Sequence, residues 1–227
     1  MTRTKPFSAI FERNVPCVLR DGITLNADVW RPDGEGEFPV LLTRLPYDKS
    51  QARIYVQCGF NPATVVGEGY VVIYQDTRGR FCSEGTSAHG CDIDDGYDSV
   101  EWAASLPYSD GNVGMFGISY LGLTQWMAAR ARSPHLKAIF PQQIGSGFRD
   151  FAYRGGAFNL EQVLMWAAMM GGEELYRRAL AGEDVTEKMA ELVAILDNLP
   201  EAYRVLPLKA GHPVISDASP FFDEWLE

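Results

Sequence analysis

Histidine is the scarcest of the residues that move protons: three in 227 residues, at positions 89, 135 and 212. Four cysteines, Cys17, Cys58, Cys82 and Cys91, form no C-x-x-C pair and have few histidines to combine with. That spacing argues against both a zinc site and a disulfide framework, and leaves structural or idle thiols. No phosphate loop, dinucleotide fingerprint or metal constellation occurs, so no cofactor and no metal are implied. Basic runs are missing as well. With 30 acids against 20 bases and a formal charge of -10, clustered phosphate contacts are excluded, and with them nucleic acid or an anionic membrane as partner. No apolar stretch follows residues 1–6, and none reaches the length of a membrane span, which reads as a soluble, cytoplasmic protein. Apolar residues themselves are plentiful. At 46% of the chain they suffice for the core of one large or two modest domains.

The residues that organise the chain are 111–122. An apolar strand pattern runs into Gly117, Ser119 and Gly122, and a helical pattern follows. A serine nucleophile at a strand-to-helix elbow needs this arrangement, because its backbone is strained and side chains on the flanks would collide with it. An ordinary Gly/Ser loop between strand and helix is the alternative reading of the bare pattern.

Around this stretch the elements follow in order. Residues 15–20 and 23–31 flank Asp21 and Gly22, a hairpin turn pair, and Ile23, Leu25, Ala27 and Val29 alternate. Residues 39–44 and 70–75 read as strands buried on both sides, with a glycine-stopped helix over 61–68 between them. Tyr47 lies just past the first of these strands, where ligands bind in open α/β sheets; a tyrosine packed in a loop is the other reading. Asp92, Asp94 and Asp95 precede a helix carrying Tyr97, Val100 and Ala104, and their spacing suits solvated N-cap acids better than a calcium loop. Residues 113–116 form the nucleophile strand, 120–131 its helix and 136–140 another strand. Connections of crossover length predict a mainly parallel sheet with helices on both faces, an α/β class with an antiparallel hairpin at the start. After Pro141 the pattern turns helical, over 160–170, 173–181 and 185–196, the last with a stripe of Met189, Leu192, Val193 and Leu196. The predicted division is 1–144 and 145–227.

Residues 110–126, from Asp110 to Trp126, resemble the nucleophile region of the cocaine esterase-like (CocE/NonD) hydrolases, relatives of the X-Pro dipeptidyl-peptidases. Residues 43–49 are similar to that family's oxyanion loop, residues 75–80 with 83–85 to its post-strand loop, and residues 20–25 to its opening hairpin. The resemblance implies an α/β-hydrolase sheet with a helical cap over 145–227. It further implies Ser119 as nucleophile, the Tyr47 phenol and the Tyr120 N–H as oxyanion donors, and Trp166 and Tyr153 lining the acyl pocket. A small acyl ester or amide is the implied substrate.

A serine that attacks a carbonyl needs a base to take its proton, and α/β-hydrolases place their acid and histidine after later strands. None of His89, His135 and His212 matches that order. Two readings therefore stand. One is a serine hydrolase, an esterase or an X-Pro peptidase, whose acid and histidine lie beyond Glu227. The other is a remnant or subunit lacking a complete triad. Ser219 as N-cap and Pro220 as first helical residue predict a helix over 221–227 that ends without a stop signal, as in a chain cut short. The partners left open are a second copy or a complementing C-terminal segment.

Overall fold

Gly22, at φ +85, closes the turn between β1 (Ala9–Val18) and β2 (Thr24–Pro32), which pair antiparallel. The computed structural model describes residues 6–51, 61–87 and 93–227; His89, Cys58, Cys91 and Asp92 lie outside them. It divides into two compact units, Met1–Gly147 and Phe148–Glu227.

In the first unit β3 (Phe38–Leu45), α1 (Pro62–Gly67), β4 (Val71–Asp76), α2 (Ile93–Ser105), β5 (Ser109–Ile118), α3 (Tyr120–Ala131) and β6 (Leu136–Gln142) follow the hairpin. The six strands lie in the order β1-β2-β4-β3-β5-β6. β2 meets β4 antiparallel, while β4, β3, β5 and β6 are mutually parallel. The expected α/β-hydrolase-type sheet with its antiparallel opening is therefore present.

Strand periodicity sorts the core into two layers. Val40, Leu42, Val71, Ile73, Val113 and Met115 pack with Val100 and Ala103 of α2 and with Ala128 of α3. On the other face Leu45, Val72, Tyr74 and Phe116 meet Val66 of α1 and Leu121. Each fully buried aliphatic side chain contributes about 1.5–3 kcal/mol. Gly96 of α2 lies so close to Ala128 that a Cβ there would stand 3.0 Å from the Ala128 Cα. β6 departs from the pattern: Phe140 is 64% exposed.

The acids at the start of α2 also differ from expectation. Asp95 is buried and accepts two bonds from Arg78, at 2.6 and 2.9 Å, so it is a tertiary ion-pair member rather than a solvated cap. Asp94 is exposed and faces Arg20 at 3.1 Å.

The second unit holds α4 (Phe148–Ala152), the short strands β7 (Tyr153–Arg154) and β8 (Ala157–Phe158), then α5 (Leu160–Leu180), α6 (Thr186–Asp197), α7 (Leu199–Ala202), α8 (Pro213–Ala218) and α9 (Phe221–Glu224). Where two helices were expected, α5 runs unbroken through Gly171 and Gly172. Those glycines serve contact rather than termination, since a Cβ on Gly171 would meet Ala218 Cβ and Ser219 Oγ, each at 3.2 Å. Ser219 does not cap α9 with its side chain, because its hydroxyl donates to the Ala167 carbonyl at 2.8 Å. α9 is correspondingly shorter than the helix expected over 221–227. In α6 only Leu192 is buried, and Val193 of the expected stripe is 47% exposed. No helix among the described residues is long and apolar enough to cross a membrane.

Candidate active site

Ser119 sits between the end of β5 and the first turn of α3 with φ 57 and ψ -124, a conformation that costs an ordinary residue roughly 1–3 kcal/mol. Three bonds hold it there. Its N–H donates to the Gln142 carbonyl at 2.9 Å, and its own carbonyl accepts from the N–H groups of Gly122 at 2.8 Å and Leu123 at 3.0 Å. The flanking glycines are required by space. Gly117, at φ +135, would bring a Cβ to 2.5 Å from Leu121 Cβ, and a Cβ on Gly122 would lie 2.5 Å from Ile144 Cγ2. Ser119 is exposed and its side chain makes no capping bond to the helix behind it. The serine thereby stands in the open at the positive end of α3, where the Tyr120 N–H opens the helix.

Two buried polar side chains brace α3. Gln125 donates to the carbonyls of Gly117 at 3.2 Å and Leu121 at 3.0 Å, and accepts from the Phe140 N–H at 2.8 Å, so one amide joins β5, α3 and β6. The Thr124 hydroxyl reaches the Arg44 carbonyl at 3.2 Å.

Tyr47 is half-buried against the apolar cluster of Leu45, Phe116 and Leu121, and its ring meets that of Tyr120 edge-on, centroids 6.2 Å apart. Ser119, Tyr120 and Tyr47 thus converge at the carboxyl end of the parallel strands. Beneath the Tyr47 loop is a set of buried charges that sequence reasoning did not single out. Lys49, 1% exposed, points its ammonium at Asp76 Oδ2 at 3.0 Å and Asp28 Oδ1 at 3.8 Å. Burial opposes that charge, yet the two carboxylates outweigh it and raise the ammonium above the ordinary lysine value. Arg44 is likewise buried, with Nε bonded to Gln75 Oε1 at 3.0 Å.

Within the first unit His135 does not join this group. His135 lies at the foot of β6, its carbonyl bonded by the Val113 N–H, six residues of β5 before Ser119 and so about 20 Å away. Its Nδ1 faces Glu101 at 3.0 Å. His212, in the second unit, is buried, with Nε2 3.0 Å from the Ala202 carbonyl. Cys17 is fully buried, and burial pushes its thiol up to about 12, which makes it inert.

Within the second unit Trp166 is 9% exposed and packs into an aromatic cluster. It stacks on Trp225 with centroids 5.7 Å apart and planes 7° from parallel, and also meets Phe221 and Phe151. Tyr153 lines a cavity of about 240 Å³ with Arg149, Glu224 and Trp225, and its hydroxyl donates to the Trp225 carbonyl.

Comparison with known proteins matches residues 21–226 to the family described as X-Pro dipeptidyl-peptidase (S15 family). Cocaine esterase of Rhodococcus sp. (strain MB1 Bresler) is 39% identical over 211 residues, which cover 92% of this chain and 37% of that protein. Among solved structures, a CocE/NonD family hydrolase from Staphylococcus aureus superposes with a TM-score of 0.62 at 29% identity, covering 70% of this chain and 32% of that one. An aminopeptidase from a marine sediment archaeon, Thaumarchaeota archaeon, gives 0.59 at 28% identity, covering 71% and 30%. The chain spans about a third of the length of these relatives.

Proposed function

The chain belongs to the X-Pro dipeptidyl-peptidase (S15) family of hydrolases, and from that premise we propose that it carries the nucleophile and oxyanion half of a serine hydrolase acting on small acyl esters. The single observation behind this is the exposed Ser119 at a positive-φ elbow, with Tyr47 packed against the Tyr120 that follows it. In this reading Ser119 Oγ attacks the acyl carbonyl, forming a C–O bond as its proton passes to a base. The carbonyl oxygen gains the charge, which the Tyr120 N–H and Tyr47 phenol receive. Collapse of that intermediate expels the alcohol and leaves the acyl group on Ser119, and water then releases it. Neither His135 nor His212 has the surroundings of a triad histidine, so the base is assigned to neither. The likeness to cocaine esterase favours an ester. The family and the aminopeptidase neighbour keep an X-Pro amide as the second reading.

A panel of chromogenic acyl esters, run beside an X-Pro anilide on the natural gene product, separates the two. Mass spectrometry after a fluorophosphonate probe tests the nucleophile directly. Label on the peptide carrying Ser119 is expected; label elsewhere, or none with turnover intact, overturns the assignment.

A further inference from the structure

The loop that carries Tyr47 is fixed on both sides by the loop that follows β4. Ahead of Tyr47, the Leu45 carbonyl accepts from the Thr77 N–H at 3.0 Å and the Pro46 carbonyl from Arg80 Nε at 3.2 Å. Behind it, Lys49 grips one carboxylate twice: its N–H donates to Asp76 Oδ1 at 2.9 Å and its ammonium to Asp76 Oδ2 at 3.0 Å. Between these anchors Asp48 takes φ 64, and its carboxylate accepts from the Ser50 N–H at 3.0 Å. The tyrosine therefore stands on a short arch whose two feet rest on residues 76–80.

Both feet are buried, and the ionic one is an expensive choice for stability. Taking Lys49 and Asp76 out of water is costly for each ion, and a well-packed apolar pair in their place is often no less stable. An apolar pair, however, would leave the Lys49 N–H without the acceptor that bends the arch, and would not fix its register. The charge here specifies a position, and between the anchors it is Tyr47 whose ring packs against Tyr120 and the elbow cluster.

We propose that Lys49 and Asp76 are positioning residues for the Tyr47 phenol: their buried ion pair holds the arch at the height from which the hydroxyl can meet an oxygen forming on the Ser119 adduct. This rests on the oxyanion role given to Tyr47 above.

The test is a double-mutant cycle in ester hydrolysis by the natural gene product, with Lys49→Met and Tyr47→Phe singly and together. Lys49→Met should lower kcat by about 10- to 100-fold while KM moves less than about threefold, since a displacement of about 1 Å at a catalytic group costs that much. In the Tyr47→Phe background the same substitution should change kcat less than about twofold. Equal losses in the two backgrounds overturn the proposal, because Lys49 would then act through the fold at large. If Lys49→Met fails to melt cooperatively, the isosteric Asp76→Asn takes its place in the cycle with the same expectations. A second readout does not depend on turnover: with 3-fluorotyrosine at position 47, the fluorine resonance should be sharp in the parent and shifted or broadened in the variant. If Tyr47→Phe leaves kcat intact, or no ester is turned over, the reading of Tyr47 as a donor fails and the fluorine signal decides the arch by itself. A moved resonance sustains the ion pair's positioning of Tyr47, and an unmoved one overturns it.

Discussion

The first unit spends its unusual residues at one end of its sheet, and the second spreads ordinary ones through a helical core. In the first, Gly117, Ser119, Gly122, Lys49 and Asp76 are each fixed by a backbone angle, a near contact or a buried charge. In the second, Trp166, Phe221 and Trp225 pack ring on ring, while Met169, Tyr176 and Leu180 of α5 stay exposed. The contrast teaches that chemistry and cohesion are written in different residues. Substitutions at the elbow should strike turnover and leave the second unit's cohesion untouched, and substitutions in the aromatic cluster should strike stability first.

The largest effect expected is at Ser119. Removing the proposed nucleophile by Ser119→Ala should cut kcat for an ester by on the order of 10⁵- to 10⁶-fold with a melting curve like the parent's, and a variant retaining even a hundredth of the activity would break the comparison. Next is Trp166→Ala, which deletes the centre of the ring cluster and should destabilise by about 3–5 kcal/mol, read from the denaturant midpoint. Tyr47→Phe should lower kcat by about two to three orders of magnitude, roughly 3 kcal/mol in the transition state, with KM little changed. A rise in KM alone would assign Tyr47 to ground-state binding.

Two smaller effects sharpen the line between the units. Glu101 is partly buried, which opposes its charge, but the bonds from Ser133 Oγ and His135 hold its carboxyl below the ordinary value of 4.5. A depressed folded value contributes stability that is present above the unfolded value and lost as pH falls through the folded one. Glu101→Gln should therefore flatten the acid side of the first unit's stability profile. Val193→Ser should change stability by no more than about 0.5 kcal/mol, because the residue lies on the exposed surface of α6. A larger loss, measured by thermal melting, would mean that this face of α6 is covered in solution.

The elbow was legible in the sequence because its demands are local. A positive φ at Ser119 and the space taken by Leu121 and Ile144 call for glycine at 117 and 122 whatever the rest of the fold does. The parallel sheet was legible for a similar reason, since crossover lengths and continuous apolar runs are properties of neighbours in the chain. What was not legible depends on partners far away in sequence. Lys49 and Asp76 look like solvated loop charges until β3 and β4 lie side by side, and Asp95 looks like a helix-start acid until Arg78 reaches it. Gly171 has the look of a helix stop, and only the return of Ala218 and Ser219 shows why a glycine stands there. Val193 fits the apolar period of α6, but the contact is narrower than the stripe: Leu192 is buried, Met189 and Leu196 are half-buried and Val193 is exposed. His135 and His212 had few features to read, and the structure gives each a local polar neighbour.

The approach of Gly96 to Ala128 has a consequence best put in terms of machining tolerance. With 3.0 Å between the hypothetical methyl and the Ala128 Cα, the glycine acts as a shim of zero thickness between α2 and α3. Any side chain at position 96 would wedge α3 outward by a few tenths of an ångström or more. α3 starts at Tyr120, immediately after the serine. The position of the Ser119 elbow over the sheet is thus adjustable from a residue on a different helix. Gly96→Ala is accordingly a dial for the alignment of the Ser119 elbow, one through which drift in sequence could detune the proposed chemistry while every residue of the elbow stayed the same.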